Sequence, residues 1–400
     1  MRIILLTIHY SPLKTSCAVQ MKDLALELCR LGHQPIIITP TEDLENTIVY
    51  NKEEGIEVFR VKTSNNSNVN FIFRGLNEIL LPFKIINALK KSNLSLNNLN
   101  AVIWYSPTIF FGPVVHFLKK VSRCQAYLIL RDIFPEWALD LGILKKNLIY
   151  YFFKIVAKYQ YSVANIIGVQ SQSNLKYFKS WSKKPNRKLE VLNNWLSPIN
   201  PKETKITFTN TNFKKKKLFV YAGNMGIAQG MDIFIELANY LKNRKDLGFI
   251  FVGRGSEVNK LKKLSASKKL ENVLFFDEVS PEEIPSLLKM CHVGLVSLDL
   301  RHKSHNIPGK FLTYLQAELP VLAKINPGND LQYIIENENV GIAYSGDKVV
   351  DLSILATKII DDEIKYKIMS KSCKPLFNKM FSTNKITNQI ISSLSENLSK

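Results

Sequence analysis

The 400-residue sequence has no apolar run long enough to cross a bilayer. Its N-terminus carries one basic residue before a short apolar run, and no small-residue cleavage site follows, so we predict no secretory signal. The most apolar later stretch, 147–157, is interrupted by Lys154 and is far shorter than the about 20 residues of a spanning helix. We therefore do not expect an integral membrane protein.

Cysteine is scarce and scattered along the chain. There are 5 cysteines, an odd number, and no two of them stand at CxxC spacing. This pattern predicts neither a disulfide framework nor a zinc site. Together with the missing signal it predicts a protein of the reducing cytoplasm.

Acidic residues are few, above all in the first half. The formal net charge is +20, and residues 69–190 contain 18 Lys or Arg against 5 Asp or Glu. Such an excess predicts a polyanionic partner, which is an anionic lipid surface, a pyrophosphate-linked molecule or nucleic acid. The alternative is a lysine-rich, solvated surface without a specific partner.

Short apolar runs alternate with helical patterns, as in parallel βαβ units. The predicted strands are 3–8, 35–39, 57–61, 101–105, 126–130, 166–169 and 189–192, then 218–222, 249–252, 273–276, 293–297 and 321–323. Residues 198–216 are polar and predict a linker between a domain over 1–197 and one over 217–380. Residues 381–400 predict a C-terminal helix that can return to the first domain. The fold expected is α/β, with two Rossmann-like, doubly wound domains facing a central cleft, where ligands lie at the carboxyl ends of strands.

The second half carries four motifs in succession. They are YAGNMGIAQGMDIFIELA from Tyr221, FIFVGRGSE from Phe249, FFDEVSPEEIPSLLKMCHVGLVSL from Phe275 and IPGKFLTYLQAELPVLA from Ile307. This succession resembles the donor-binding domain of glycosyltransferase family 4, which has the GT-B fold. RDIFPEWALDLG from Arg131 and NNW from Asn193 extend the resemblance to the L-fucosamine transferases of bacterial O-antigen and capsule clusters.

The resemblance implies a reaction and its partners. It implies transfer of N-acetyl-L-fucosamine or a related acetamido sugar, with retention, from a nucleoside-diphosphate donor, most simply UDP-linked, to a polyprenyl-diphosphate-linked saccharide. It implies no cofactor and a place on the cytoplasmic face of the membrane. The chain has no DxD motif, which argues against a metal-dependent transferase of the single-domain type.

Physical reasoning supports a donor site in the second half. Gly223 and Gly226 follow a predicted strand and precede a helix, so the backbone there can approach a ligand closely. Pro308, Gly309 and Lys310 open another helix, whose amide groups suit a diphosphate, and Lys310 adds a full charge. Arg254 follows a further strand. The alternatives are ordinary turn glycines and a surface arginine.

The sequence departs from the family pattern at several positions. Asn224 and Gln229 stand where the family has an arginine and a lysine. His305 and Thr313 stand where it has paired glutamates. In the first loop, Lys14, Thr15 and Ser16 replace glycines and predict side-chain donors to an acceptor or phosphate.

Two carboxylates, Asp132 and Glu136, follow a predicted strand of the first half. At the carboxyl end of that strand, a carboxylate can deprotonate or orient an acceptor hydroxyl. The alternative for Asp132 is a structural ion pair with Arg131. We predict no metal ligand, so Lys310, Arg254 and helix amides must balance the charge of the leaving diphosphate.

Residues 71–91 form an amphipathic pattern with basic flanks at Arg74, Lys84, Lys90 and Lys91. Such a helix can lie on an anionic membrane surface, or it can face a core.

Two rival functions stay open. One is a non-hydrolysing nucleotide-sugar epimerase of the same fold. The other is a basic nucleic-acid-binding protein, for which no recognised binding motif is present.

Overall fold

The chain forms two compact units in the computed structural model. The first comprises Met1–Asn193 with Thr383–Lys400, and the second comprises Asn194–Ser382. The structure describes residues 1–42, 46–63, 71–140, 142–208, 212–301 and 307–398, without the side chains of 71–76 and 397–398.

The first unit is built on an eight-stranded sheet of order β3-β4-β2-β1-β5-β6-β7-β8 among the described residues. All neighbouring strands are parallel except β3 and β4. The strands are β1 Arg2–Leu6, β2 Gln34–Thr41, β3 Ile48–Glu53, β4 Ile56–Lys62, β5 Ala101–Tyr105, β6 Gln125–Leu130, β7 Ile166–Val169 and β8 Lys188–Val191. The central strands are buried along their length because helices cover both faces of a parallel sheet.

The helices of the first unit connect these strands. They are α1 Ser16–Arg30, α2 Phe71–Lys91, α3 Gly112–Ser122, α4 Glu136–Asp140, α5 Leu148–Val163 and α6 Lys179–Ser182. In the described part of α2, Leu81, Ile85 and Leu89 are buried in the core. That face of α2 is therefore a core face, which is the alternative that its pattern left open, while Leu80 and Phe83 are exposed.

The second unit has a six-stranded parallel sheet of order β11-β10-β9-β12-β13-β14 in the described chain. The strands are β9 Lys217–Ala222, β10 Leu247–Val252, β11 Val273–Phe276, β12 Val293–Ser297, β13 Val321–Lys324 and β14 Gly341–Tyr344. The helices are α7 Asp232–Tyr240, α8 Val258–Ser267, α9 Ile284–Leu288, α10 Gly309–Gln316, α11 Asp330–Asn337, α12 Val349–Asp361 and α13 Glu363–Met380. The last helix of the chain, α14 Thr383–Leu398, lies in the first unit.

Several details differ from the sequence prediction. Residues 198–216 are grouped with the second unit, because Phe208 and Phe213 are buried in its core. The unit boundaries fall after Asn193 and Ser382 rather than at 197 and 380. Strands β3 and β14 were not predicted.

Helix α14 contacts α1 in the first unit: Asn384 Nδ2 donates to Glu27 Oε1 (2.8 Å).

Each sheet reverses its winding at one point. In the first unit the switch lies between β1 and β5, and in the second it lies between β9 and β12. The crevice at the carboxyl ends of such strands is the usual ligand site of doubly wound folds. None of the helices in the described residues is long and apolar enough to cross a membrane.

Candidate active site

The loops after β9 and β10 pack backbone against backbone. Gly253 has a φ of +141°, and a Cβ atom on it would lie 2.1 Å from the carbonyl oxygen of Gly223. A Cβ atom on Gly255 would lie 2.2 Å from the carbonyl oxygen of Met225. The amide of Met225 donates to the carbonyl of Arg254 (2.7 Å). Glycine is therefore required at both positions for this close approach.

Asn224 and Gln229, in the loop after β9, hydrogen-bond to one another. Gln229 Oε1 accepts from Asn224 Nδ2 (3.2 Å) and from the amide of Gly226 (2.9 Å). A Cβ atom on Gly226 would lie 3.0–3.1 Å from these two side chains. The pair thus holds the shape of the loop without bringing charge to it.

Lys310, in the first turn of α10, extends to the glycine of the β9 loop. A Cβ atom on Gly223 would lie 3.5 Å from Lys310 Cε, and Lys310 Nζ lies 4.8 Å from the centre of the Tyr221 ring. Among the described residues, no carboxylate lies within salt-bridge distance of this ammonium group. Burial lowers the pKa of Lys310 to about 8, because the charged form loses solvation that no counter-ion replaces.

The orientation of α10 is fixed by Tyr314. Its hydroxyl accepts from the amide of Ala222 (3.0 Å) and donates to the carbonyl of Val220 (3.3 Å). These bonds attach the helix to the end of β9. Pro308 occupies the N-cap position and has no side-chain oxygen that can cap the helix. The amide of Phe311 donates to the carbonyl of Pro308 (3.0 Å), and no side chain caps the amides of Gly309 and Lys310.

The remaining predicted donor residues are less well placed. Arg254 is 76% exposed and pairs with Glu278 (Nε to Oε2, 3.2 Å). Thr313 Oγ1 donates to the carbonyl of Gly309 in its own helix (3.3 Å). His305 lies outside the described residues.

Asp132 lies at the carboxyl edge of the first sheet. It follows β6, and its amide donates to Ser106 Oγ (3.4 Å), just beyond the end of β5. The preceding side chain, Arg131, is buried and donates to the carbonyls of Leu192 (2.8 Å) and Asn193 (3.2 Å). Asp132 is therefore held at the strand ends by a rigid neighbour.

Glu136 has a different environment. It begins α4 and forms an ion pair with Lys154 of α5 (3.5 Å). Lys154 Nζ is also 3.0 Å from the hydroxyl of Tyr150. These contacts give Glu136 a role in joining α4 to α5.

The first loop of the chain is organised by hydrogen bonds to side chains. Thr15 is the N-cap of α1 and accepts from the amide of Ala18 (3.3 Å), and its Oγ1 lies 3.2 Å from His9 Nδ1. Burial lowers the pKa of His9. Lys14 and Ser16 are exposed beside it. Thr15 is exposed as well, so it caps α1 and is still open to solvent with its two neighbours.

Comparison with known proteins identifies the kind of enzyme. Residues 202–374 match the family model "Glycosyl transferases group 1". The chain is 24% identical over 320 residues to the probable glycosyltransferase WbjE of Pseudomonas aeruginosa, covering 78% of this chain and 74% of that one. The chain is a glycosyltransferase.

Solved structures agree with this fold. The complex of Anabaena Alr3699/HepE with UDP and glucose has a TM-score of 0.69 at 15% identity, covering 99% of this chain and 100% of that one. WaaG, a glycosyltransferase involved in lipopolysaccharide biosynthesis, has a TM-score of 0.67 at 13% identity, covering 98% of this chain and 99% of that one. The glycosyltransferase therefore has two Rossmann-like units in the GT-B fold.

Two tyrosines beside Lys310 were not among the residues predicted from the sequence. Tyr221 lies under Lys310, and its hydroxyl donates to the carbonyl of Asn224 (2.6 Å). Tyr314 holds the helix that carries Lys310. Both tyrosines are buried. A tyrosine in an otherwise apolar stretch needs a hydrogen-bond partner for its hydroxyl, and this need could have marked both residues in the sequence.

Replacing Tyr314 with phenylalanine tests how α10 is held. Tyr314→Phe leaves the partly buried amide of Ala222 without its acceptor, so the free energy of unfolding should fall by about 1 kcal/mol or more. Urea denaturation measures the change. The control is Tyr240→Phe, at an exposed position, where we expect less than about 0.5 kcal/mol. Equal stabilities of the two variants would show that the Tyr314 hydroxyl does not hold the helix.

Proposed function

We propose that the enzyme moves a sugar from a nucleoside-diphosphate donor, UDP-linked, to a lipid-linked saccharide in the synthesis of a surface polysaccharide. The observation that carries this proposal is Lys310: a half-buried ammonium group with no acidic partner in the described chain, at a helix start and beside Gly223. A diphosphate supplies the missing counter-charge. The helix amides and the ammonium group then act on the same anion.

Similar proteins support the choice of donor and product class. HepE is solved with UDP, and WaaG is described as acting in lipopolysaccharide biosynthesis. The resemblance to L-fucosamine transferases suggests N-acetyl-L-fucosamine, transferred with retention, as the sugar in an O-antigen or capsule. A polyprenyl-diphosphate-linked saccharide as acceptor would place the enzyme at the cytoplasmic face of the membrane.

The chemistry assigns separate tasks to the two units. The bond between the anomeric carbon and the diphosphate oxygen breaks, and the acceptor oxygen bonds to the same carbon. The acceptor proton goes to Asp132, a carboxylate at the strand ends of the first unit. The negative charge that develops on the leaving diphosphate is balanced by Lys310 and the first turn of α10.

Removing the Lys310 charge tests the donor site. Lys310→Ala should weaken UDP binding by more than about tenfold, because one charge-assisted contact is lost. Isothermal calorimetry measures the affinity. Lys289→Ala, an exposed lysine of the same unit, is the matched control and should bind UDP as the wild type does. If the Lys310→Ala variant binds UDP with unchanged affinity, the diphosphate does not bind at the start of α10.

Chelation of metal ions tests whether the protein's own cations are enough to balance the charge of the leaving diphosphate. We expect sugar transfer to continue in excess EDTA, since Lys310 and the helix amides balance the leaving-group charge. A coupled assay for released UDP measures the rate before and after chelation. Complete loss of turnover that Mg²⁺ restores would contradict this assignment.

A further inference from the structure

Helix α5 presents apolar side chains to solvent along most of its length. Leu148 is 88% exposed and Ile155 is 68% exposed. The other large apolar side chains that share this exposure are Ile149, Tyr151, Phe152 and Tyr159. Positions 148, 152, 155 and 159 recur at helical spacing, so they lie on one face of the helix. We call these six residues the α5 stripe.

The opposite face of the helix anchors it to the first unit. Tyr150, Ala157 and Val163 are buried. The ring of Phe153 packs against Phe134, with centroids 5.1 Å apart. The α5 stripe is therefore held in place by a fixed helix, whereas a helix at the surface of a globular protein normally turns polar residues to water.

The stretch of sequence that contains α5 is basic, although Glu136, just before it, pairs with Lys154 of the helix. Residues 141–189 contain ten Lys or Arg and no Asp or Glu. The exposed lysines among them are Lys145, Lys146, Lys158, Lys176, Lys179, Lys183 and Lys184. An apolar helix face flanked by lysines and containing tyrosines matches a surface of acidic lipid headgroups above acyl chains.

We propose that α5 docks this enzyme on an anionic lipid bilayer, with the α5 stripe inserted at the headgroup boundary and the flanking lysines on the lipid phosphates. The basic surroundings select this occupant over a second copy of the chain, which would bring the same positive charge against itself. The assignment moves the membrane contact from α2, where the sequence pattern placed it, to α5. Among the described side chains of α2, only Leu80 and Phe83 are comparably exposed large apolar groups.

Docking through α5 also bears on catalysis. Phe134 and Glu136, which contact α5, lie within four residues of Asp132. A bilayer bound to the α5 stripe would thus lie across one helix from the segment that carries Asp132. This rests on the proposed function and deepens it, because it names the membrane as the surface from which a lipid-linked acceptor would come.

Vesicle sedimentation of the full chain tests the proposal. One sample contains phosphatidylcholine with about one third phosphatidylglycerol, and the other contains phosphatidylcholine alone. The first variant is Leu148→Gln/Ile149→Gln/Ile155→Gln, at exposed positions where the fold should tolerate it. The second is Lys145→Glu/Lys146→Glu/Lys158→Glu. Its control, Lys262→Glu/Lys263→Glu/Lys371→Glu, makes the same charge change on exposed lysines of the second unit.

We expect the wild type and the control to bind anionic vesicles, and both α5 variants to bind at least about tenfold more weakly. UDP binding by calorimetry should stay unchanged in all of them, so a failure of the donor proposal shows separately. Equal vesicle binding by the α5 variants and the control would overturn the assignment. So would a concentration-dependent dimer that the glutamine variant abolishes, with no vesicle binding by the wild type.

Discussion

The placement of the Lys310 ammonium group is the constraint on which the donor site depends. Its aliphatic chain lies against Gly223, its charge lies over the Tyr221 ring, and no carboxylate pairs with it in the described chain. An unpaired, half-buried ammonium is costly, and its lowered pKa expresses that cost. The site can therefore gain much from an anion, which the helix start also favours.

The rest of the second unit keeps this arrangement in place. Tyr314 ties α10 to β9, so the backbone of Lys310 stays beside the strand end. Gly253 lets the β10 loop lie directly against Gly223. Asn224 and Gln229 hydrogen-bond to one another and, through Gln229, to the amide of Gly226, which closes the loop after β9. The loop after β9 is thus held by uncharged side chains, and Lys310 reaches it from α10.

Most strands and several residues of the donor site could be predicted from the sequence. Buried parallel strands give apolar runs, so most strands were found. In contrast, β3 is a largely exposed edge strand, and β14 begins at a glycine and has only alternate residues buried. Gly223 and Lys310 were found because their motifs are local, but the contact of Lys310 with Tyr221 joins residues far apart in sequence. The exposed face of α5 was missed because that stretch is apolar on most sides, and only packing shows which side is covered.

The dependence of UDP affinity on pH tests the role of Lys310 most directly. Since the pKa of this lysine is about 8 in the free protein, the group is charged below that pH and neutral above it. Calorimetry should therefore show an affinity that falls above pH 8, by up to about tenfold per pH unit. In Lys310→Arg, whose guanidinium stays charged, this fall should be absent. Identical pH profiles for the two proteins would contradict the account.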